Sequence, residues 1–421
     1  MKKILFLSAN YPHMMTCGAS RAFRIASMLP ENGWQPLVVA PADLQQSGSD
    51  GGSAADQFPC PVYRAGESVD VEAFDPERLE KLLQGMTVAP PVGSALRVIS
   101  GLFPGVNLHA RWEKLAPAIV TDLLAMNGPV DAVYAQGPGM APLLLALELA
   151  EKHRLPVVFD LVAPLDSHVS GGKSDAERLE ERILISGYPV ITPTRAMKEY
   201  FLKKYFGKVT HDDITIIQDF CILPDSLREA GAQQSAAQSC VSVLLEDVTQ
   251  KELKVFMAAL GRFVANTGVQ QPSLSFIGGD RKLLEKYARK FLSSVPATFL
   301  PRLSDHEELG HIASSSMFGV LTASHDGAEL MVPERLVDAA GMGKPLFVIG
   351  PDGPAARLAG ECGGVASPLQ NAESLAGLLG TLWSQSQELR RGMPSAWTSG
   401  RFSPFQSVAD LTKLLAYMLP I

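Results

Sequence analysis

Cysteine pairs, long apolar runs and excess basic charge are all missing from this sequence, and each absence closes off a class of protein. The five cysteines among 421 residues, Cys17, Cys60, Cys221, Cys240 and Cys362, stand singly, which supports neither a disulfide framework nor the paired spacing of a structural zinc site. A reducing cytoplasm is the expected setting. No stretch approaches the roughly 18 apolar residues that span a bilayer; the richest, APLLLALELAEKH (141–153), is broken by Glu148 and reads as a helix of a soluble protein. The opening MKKILFLSANYPH is interrupted at Asn10, Tyr11 and Pro12, too early for the apolar region of a signal peptide, so it reads as a first strand. A formal net charge of −7 argues against a whole-protein electrostatic grip on nucleic acid. No Gly-x-Gly-x-x-Gly follows the first strand, and GPGMAP (137–142) is a poor substitute, which disfavours a dinucleotide oxidoreductase. Without a serine elbow, a His-Glu-x-x-His or a Gly-x4-Gly-Lys-Ser/Thr, hydrolase and P-loop readings lapse as well.

With 46% hydrophobic and 19% charged residues the chain is of ordinary globular composition, and its length suits about two or three domains of roughly 150 residues. Short apolar runs precede helical patterns throughout the first half: ILFLSA (4–9) before ASRAFRIASML (19–29), PLVVA (36–40), DAVYA (131–135) before the 141–153 helix, and PVVFD (156–160). The second half repeats the rhythm with SVLLE (242–246), SLSFIGG (273–279), ATFLPR (297–302), MFGVLTA (317–323) and PLFVIG (345–350). Such alternation predicts an α/β protein of two doubly wound, Rossmann-like domains, each a mostly parallel sheet with helices on both faces. LPDSLREAGAQQSAAQSC (223–240) is poor in large apolar residues and reads as a linker. The expected domains are therefore 1–222 and 241–403, with 404–421 a helix packing back on the first. QQSGSDGGSAADQ (45–57) reads as a mobile loop.

Ligands of open parallel sheets sit beyond the carboxyl ends of the strands. After the first strand, Gly18 directly precedes a helix start and could admit a phosphate or sugar near Arg21 or Arg24; a glycine easing a loop into a helix is the equally weighted alternative. Gln136 follows DAVYA, and LVAPLDSH (161–168) follows PVVFD; Asp166 and His168 could serve acid–base chemistry, although a solvated polar turn is the commoner reason for such residues. Gly278 and Gly279 end a strand, Pro301 to Leu303 form another turn, and Lys251 stands near a helix amino end against the dipole preference, which hints at an anionic ligand. In VPERLVDAAGMGKPLFVIG (332–350), Pro333 suits a first helical position, Leu336, Val337, Ala339 and Ala340 supply the packing side, and Gly343 with Pro345 ends the helix. Glu334, Arg335 and Asp338 then lie in the first turns, where unpaired N–H groups favour an anion.

Taken in order, these turns resemble the two-domain GT-B glycosyltransferases, and within them the retaining family 4 type. KKILFLSANYPHMMTCGASRAFRIASML is similar to that family's opening strand, loop and helix; LFPGVNLHARWEKLAPAI with the DAVYA to VVFDLVAP segment resembles a bacterial polysaccharide-assembly branch. ERILISGYPVITPTRAMKEYFLKKY resembles the stretch before the linker, and the 332–350 segment resembles the donor-site helix with its Ala-x-Gly-Lys-Pro exit. The resemblance implies two domains facing a central cleft, a nucleotide-sugar donor (UDP- or GDP-sugar), a glycan or lipid-linked acceptor, and no metal or cofactor. It implies donor binding by Gly18, Lys251, Arg302, Arg335 and Asp338, the last holding ribose hydroxyls, and catalytic positions at Gln136 and Glu329. Several positions depart from the family pattern: Leu330 replaces a glutamate, Glu246 a phosphate-binding arginine, Gln136 a histidine, Val162 and Ala163 an Arg-Asp pair, and Asp219 and Phe220 an Asn-Gly pair. A catalytically silent relative acting as a binding or assembly partner is thus a competing expectation, and a nucleotide-sugar 2-epimerase a weaker one. YFLKKYFGK (200–208) could rest on an anionic membrane surface, or simply be a solvated helix end.

Overall fold

The computed structural model describes residues 1–9, 11, 19–41, 60–65, 108–165, 175–223, 240–267, 272–293, 295–303, 305–322, 327–369, 371–389 and 402–419. Gly18, the 45–57 loop, Asp166, His168 and nearly all of the 223–240 segment lie outside the described residues. The chain divides into two compact units, Met1–Pro193 with Met197–Gln218 and Phe405–Ile421, and Thr194–Ala196 with Asp219–Pro404.

The first unit is built on strands β1 (Lys2–Ser8), β2 (Trp34–Pro41), β3 (Val62–Ala65), β4 (Ala132–Gln136), β5 (Val157–Asp160), β6 (Val190–Thr192) and β7 (Ile214–Ile216). They form a seven-stranded sheet in the order β3-β2-β1-β4-β5-β6-β7, with every neighbouring pair parallel. Helices α1 (Ala19–Met28), α2 (Leu108–Asn127), α3 (Met140–His153), α4 (Asp175–Leu184) and α5 (Arg195–Lys204) provide the crossovers. Burial on both faces explains why β4 and β5 read as continuous apolar runs rather than alternating ones.

The second unit repeats the plan with β8 (Cys240–Glu246), β9 (Ser273–Ile277), β10 (Ala297–Leu300), β11 (Met317–Thr322), β12 (Leu346–Ile349) and β13 (Val365–Ser367), in the order β10-β9-β8-β11-β12-β13 and again all parallel. Its helices are α6 (Gln250–Asn266), α7 (Arg281–Phe291), α8 (Asp305–Ser314), α9 (Glu334–Gly341), α10 (Pro354–Glu361) and α11 (Ala372–Leu389). The two-residue period of a strand sorts side chains between two cores. Val241, Val243 and Leu245 pack with Phe256, Phe263 and Leu379 of α6 and α11. Leu244, Phe318 and Val320 pack on the opposite face with Leu336, Val337 and Ala340 of α9. The last helix, α12 (Pro404–Met418), belongs to the first unit from Phe405 onward; it buries Val408, Leu411 and Leu415 on one stripe, and Ser407 donates a hydrogen bond to the Gln218 carbonyl within that unit.

Both sheets grow outward from their first strand and then resume on its other side, so strand order reverses between β1 and β4 and between β8 and β11. The crevice beyond the carboxyl ends at such a reversal is where doubly wound sheets place their ligands.

Candidate functional site

In the second unit, Glu246 and Thr322 are the last register pair of β8 and β11 and mark the reversal. Glu246 keeps 32% of its side chain exposed, and its carboxylate stands 4.0 Å from Nη1 of Arg302, which follows β10. Arg302 reaches this point across Gly278: a Cβ there would lie 3.2 Å from Arg302 Cδ and 3.1 Å from the Leu245 carbonyl, at φ +80°, so glycine alone leaves the passage open without backbone strain. The other edge of the guanidinium is held by Glu308 of α8, which accepts from Arg302 Nε at 2.8 Å and Nη2 at 3.4 Å, and from the Leu303 amide at 3.2 Å. Glu308 also accepts from Nε of Arg335 at 2.6 Å, and Nη1 of Arg335 donates to Asp338 at 2.9 Å. Arg302, Glu308, Arg335 and Asp338 thus alternate in sign along one hydrogen-bonded chain, and the last three are buried.

Alternation lets buried charges persist, since each loses water but gains an opposite charge at hydrogen-bond distance. Glu246 is an added negative charge at the end of the chain. Burial pushes its carboxyl up to about 7; Arg302 opposes the shift, and Glu334, Asp247 and Glu308 add to it. Near neutral pH this carboxyl is therefore about half protonated. Any anion approaching Arg302 from this side would have to displace the Glu246 carboxylate or meet it neutral.

The first unit's reversal is built differently. Ser8 and Gln136 are register partners at the ends of β1 and β4, and Ser8 Oγ donates to Gln136 Oε1 at 2.8 Å. One strand over, Asp160 pairs in register with Gln136 and accepts from Arg21 Nε at 2.8 Å and Nη2 at 3.2 Å, and from the Tyr134 hydroxyl. Arg21 is 3% exposed, so it serves as the counter-ion of a buried carboxylate. Buried Glu180 fastens the segment after β5, accepting from the Leu165 amide at 2.7 Å, Lys204 Nζ at 2.7 Å and the Tyr205 hydroxyl at 2.8 Å. Burial first, and then Glu180, push the Tyr205 phenol well up, so it remains a donor.

No family model and no curated protein sequence matches this chain, but solved structures do. Sucrose-phosphate synthase from Thermosynechococcus elongatus is similar over 99% of this chain and 98% of its own, at 12% identity and TM-score 0.64. HepE from Anabaena in complex with UDP-glucose covers 99% of this chain and 100% of its own at 16% identity and TM-score 0.61. WaaG, a glycosyltransferase involved in lipopolysaccharide biosynthesis, covers 99% of each at 16% identity and TM-score 0.58. The fold is that of the GT-B glycosyltransferases.

On this GT-B fold the expected donor residues separate into two groups. Arg302, Arg335 and Asp338 meet in one network, whereas Lys251 is exposed on the first turn of α6, where a capping box of Thr249 and Glu252 already satisfies the helix end. Glu252 supplies the negative charge the dipole favours at that helix start. Glu329 is exposed on a single 3-10 turn, Ala328–Leu330, ahead of buried Leu330. That turn rests on Gly353, where a Cβ would fall 2.5 Å from the Glu329 carbonyl oxygen.

Helix α9 starts at Glu334, with Pro333 its N-cap rather than its first residue, and the chain leaves through Gly343 at φ 68°. The Lys344 of the Gly-Lys-Pro exit turns inward and donates to the carbonyls of Ala313 at 2.6 Å and Ser315 at 2.9 Å, closing the end of α8, whose last carbonyls lack helical partners. Glu308 escaped the sequence reading. Its one signal is phase: it shares a helix face with Leu309, Ile312 and Ala313, all buried, while Glu307 beside it is exposed. Among the described residues no three metal-ligating side chains converge, and no helix is long and apolar enough to cross a membrane.

Proposed function

We propose that the protein transfers a sugar from a nucleotide-diphosphate donor, UDP- or GDP-linked, to a hydroxyl of a glycan or lipid-linked glycan, with retention of configuration. The observation that carries this reading is the position of Arg302, an accessible guanidinium at the strand reversal of the second sheet. It is supported by likeness over 99% of the chain to a structure holding UDP-glucose. Transfer builds negative charge on the departing diphosphate, and a cation fixed in advance lowers that barrier without reorganising at the moment of reaction. In this reading Arg302 meets the diphosphate, Lys251 adds a second cation from α6, and Arg335 with Asp338 supports the site from beneath. Gln136, oriented by Ser8, and Glu329 are assigned to the acceptor side and the reacting centre. Phe206, 89% exposed near exposed Lys203, supports peripheral contact with an anionic membrane carrying a lipid-linked acceptor.

Calorimetric titration with UDP and GDP tests the donor site, and a complete absence of heat at millimolar nucleotide overturns the reading. The competing reading, a silent binding or assembly partner, is favoured by the Glu246 carboxylate occupying the open face of Arg302. Sugar transfer that disappears in Arg302→Ala excludes it. Interconversion of the donor sugar without any acceptor would instead indicate an epimerase.

A further inference from the structure

We infer that Glu308 is the positioning residue of the donor site: it presents Arg302 to the diphosphate, and Arg335 with Asp338 holds Glu308 in place. The inference rests on the donor reading above and adds a division of labour within the charged chain. A guanidinium has two edges available to a carboxylate, and Glu308 takes one of them, the Nε and Nη2 edge of Arg302. That grip leaves Nη1 turned toward Glu246 at the strand reversal. The Arg302 side chain is 33% exposed and that of Arg335 only 5%, so Arg302 is the member of the pair placed to meet a ligand. Arg335 donates on both sides to carboxylates, Glu308 and Asp338, which is the arrangement of a counter-ion.

Charge explains why two arginines are present. With Arg302 as its sole partner, a buried Glu308 would cancel the positive charge that Arg302 offers an anion. Arg335 supplies the compensation from the interior side, and Asp338 in turn keeps Arg335 from becoming an uncompensated buried cation. Glu308 also accepts from the Leu303 amide, so the turn carrying Arg302 and the Arg302 head group are anchored by one carboxylate. A long, flexible side chain is thereby pre-oriented, which removes part of the ordering cost of binding.

The test is a double-mutant cycle on UDP affinity in the full-length protein, using Arg302→Ala, Glu308→Gln and the two combined. Glu308→Gln alone is expected to weaken UDP about ten- to a hundredfold, the ratio that accompanies losing a hydrogen bond to a charged group. In the Arg302→Ala background the same change is expected to have no further effect, because Glu308 acts through Arg302. Glu308→Asp keeps the charge but retracts it by one methylene; it serves if the glutamine variant fails to fold, with a similar loss expected. If the two effects add, or if both Glu308 variants bind as wild type does while only their thermal stability falls, Glu308 is merely structural and the inference is overturned. If wild type itself binds neither UDP nor GDP, the donor reading fails and this inference falls with it.

Discussion

Glu246 and Thr322 close the β8–β11 ladder as register partners at the point where the second sheet reverses its strand order, and the Glu246 carboxylate faces Arg302 there. The strand reversal of this sheet thus carries a carboxyl pushed up to about 7 by burial, against the pull of Arg302.

Binding of UDP should therefore depend on pH with a definite sign. Ionised Glu246 competes for Arg302 and repels phosphate, and the neutral form does neither. Affinity is expected to rise as pH falls through about 7, by up to about eightfold between about pH 8 and about pH 6.5 if only the neutral form is competent. Titrations of Glu246→Gln should show tighter binding at the alkaline end and a flatter profile; an unchanged slope would mean the dependence belongs to the nucleotide.

Stability carries the same linkage. A carboxyl whose folded pKa lies above its unfolded value gives stability that is fully present below the unfolded value and is lost as pH rises through the folded one. For Glu246 that window runs from 4.5 to about 7. At about pH 8 the Glu246→Gln protein should unfold several degrees higher than wild type, the shift corresponding to at most about 3 kcal/mol and to less once the partial exposure of the carboxyl is allowed for. Differential scanning at alkaline and at acidic pH checks this, the difference shrinking at the acidic end.

Arg335→Ala leaves Glu308 and Asp338 buried on either side of a missing cation. Breaking a buried pair in this way typically costs about 3–5 kcal/mol, and urea unfolding of the variant should show a loss of that order. A loss below about 1 kcal/mol, the range of exposed pairs, would show that the chain of charges is not the support described above.

Gly353→Ala addresses the Glu329 turn. The new methyl would meet the Glu329 carbonyl at 2.5 Å, and the backbone must yield, at a typical cost of about 1–3 kcal/mol. Sugar transfer is expected to fall further than stability does, because the displaced turn carries Glu329. Activity measured against melting temperature separates the two effects.

Lys344→Met should destabilise the protein by about 1–3 kcal/mol, since two buried carbonyls at the end of α8 lose their donor. Nucleotide affinity per folded molecule should be unaffected, which calorimetry can verify. A selective loss of UDP binding would instead give the Gly-Lys-Pro lysine a ligand role.

Much of this protein is determined by sequence alone. The doubly wound class follows from apolar runs such as 131–135 and 345–350, because strands covered on both faces cannot tolerate polar residues in either phase. Among the described residues four strands escaped that reading, β3, β6, β7 and β13, each only three or four residues long. Except in β6 they are partly exposed where burial is described, and runs that short carry too little apolar signal to stand out from loops.

The charged positions show where such reading stops. Arg302, Arg335 and Asp338 could be picked out as residues suited to an anion, yet whether a guanidinium meets a ligand or a neighbouring carboxylate depends on what packs beside it. Glu308 and Asp160 decide that question for Arg335 and Arg21, and they come from other elements, 27 and 139 residues away. Local periodicity determines which face of a strand or helix is buried, because burial recurs with the geometry of a single element. The pairing of charges across elements was decided only by the tertiary structure, since the energy of an ion pair is set by distance in space and by exclusion of water, neither of which is written in the spacing of residues along the chain.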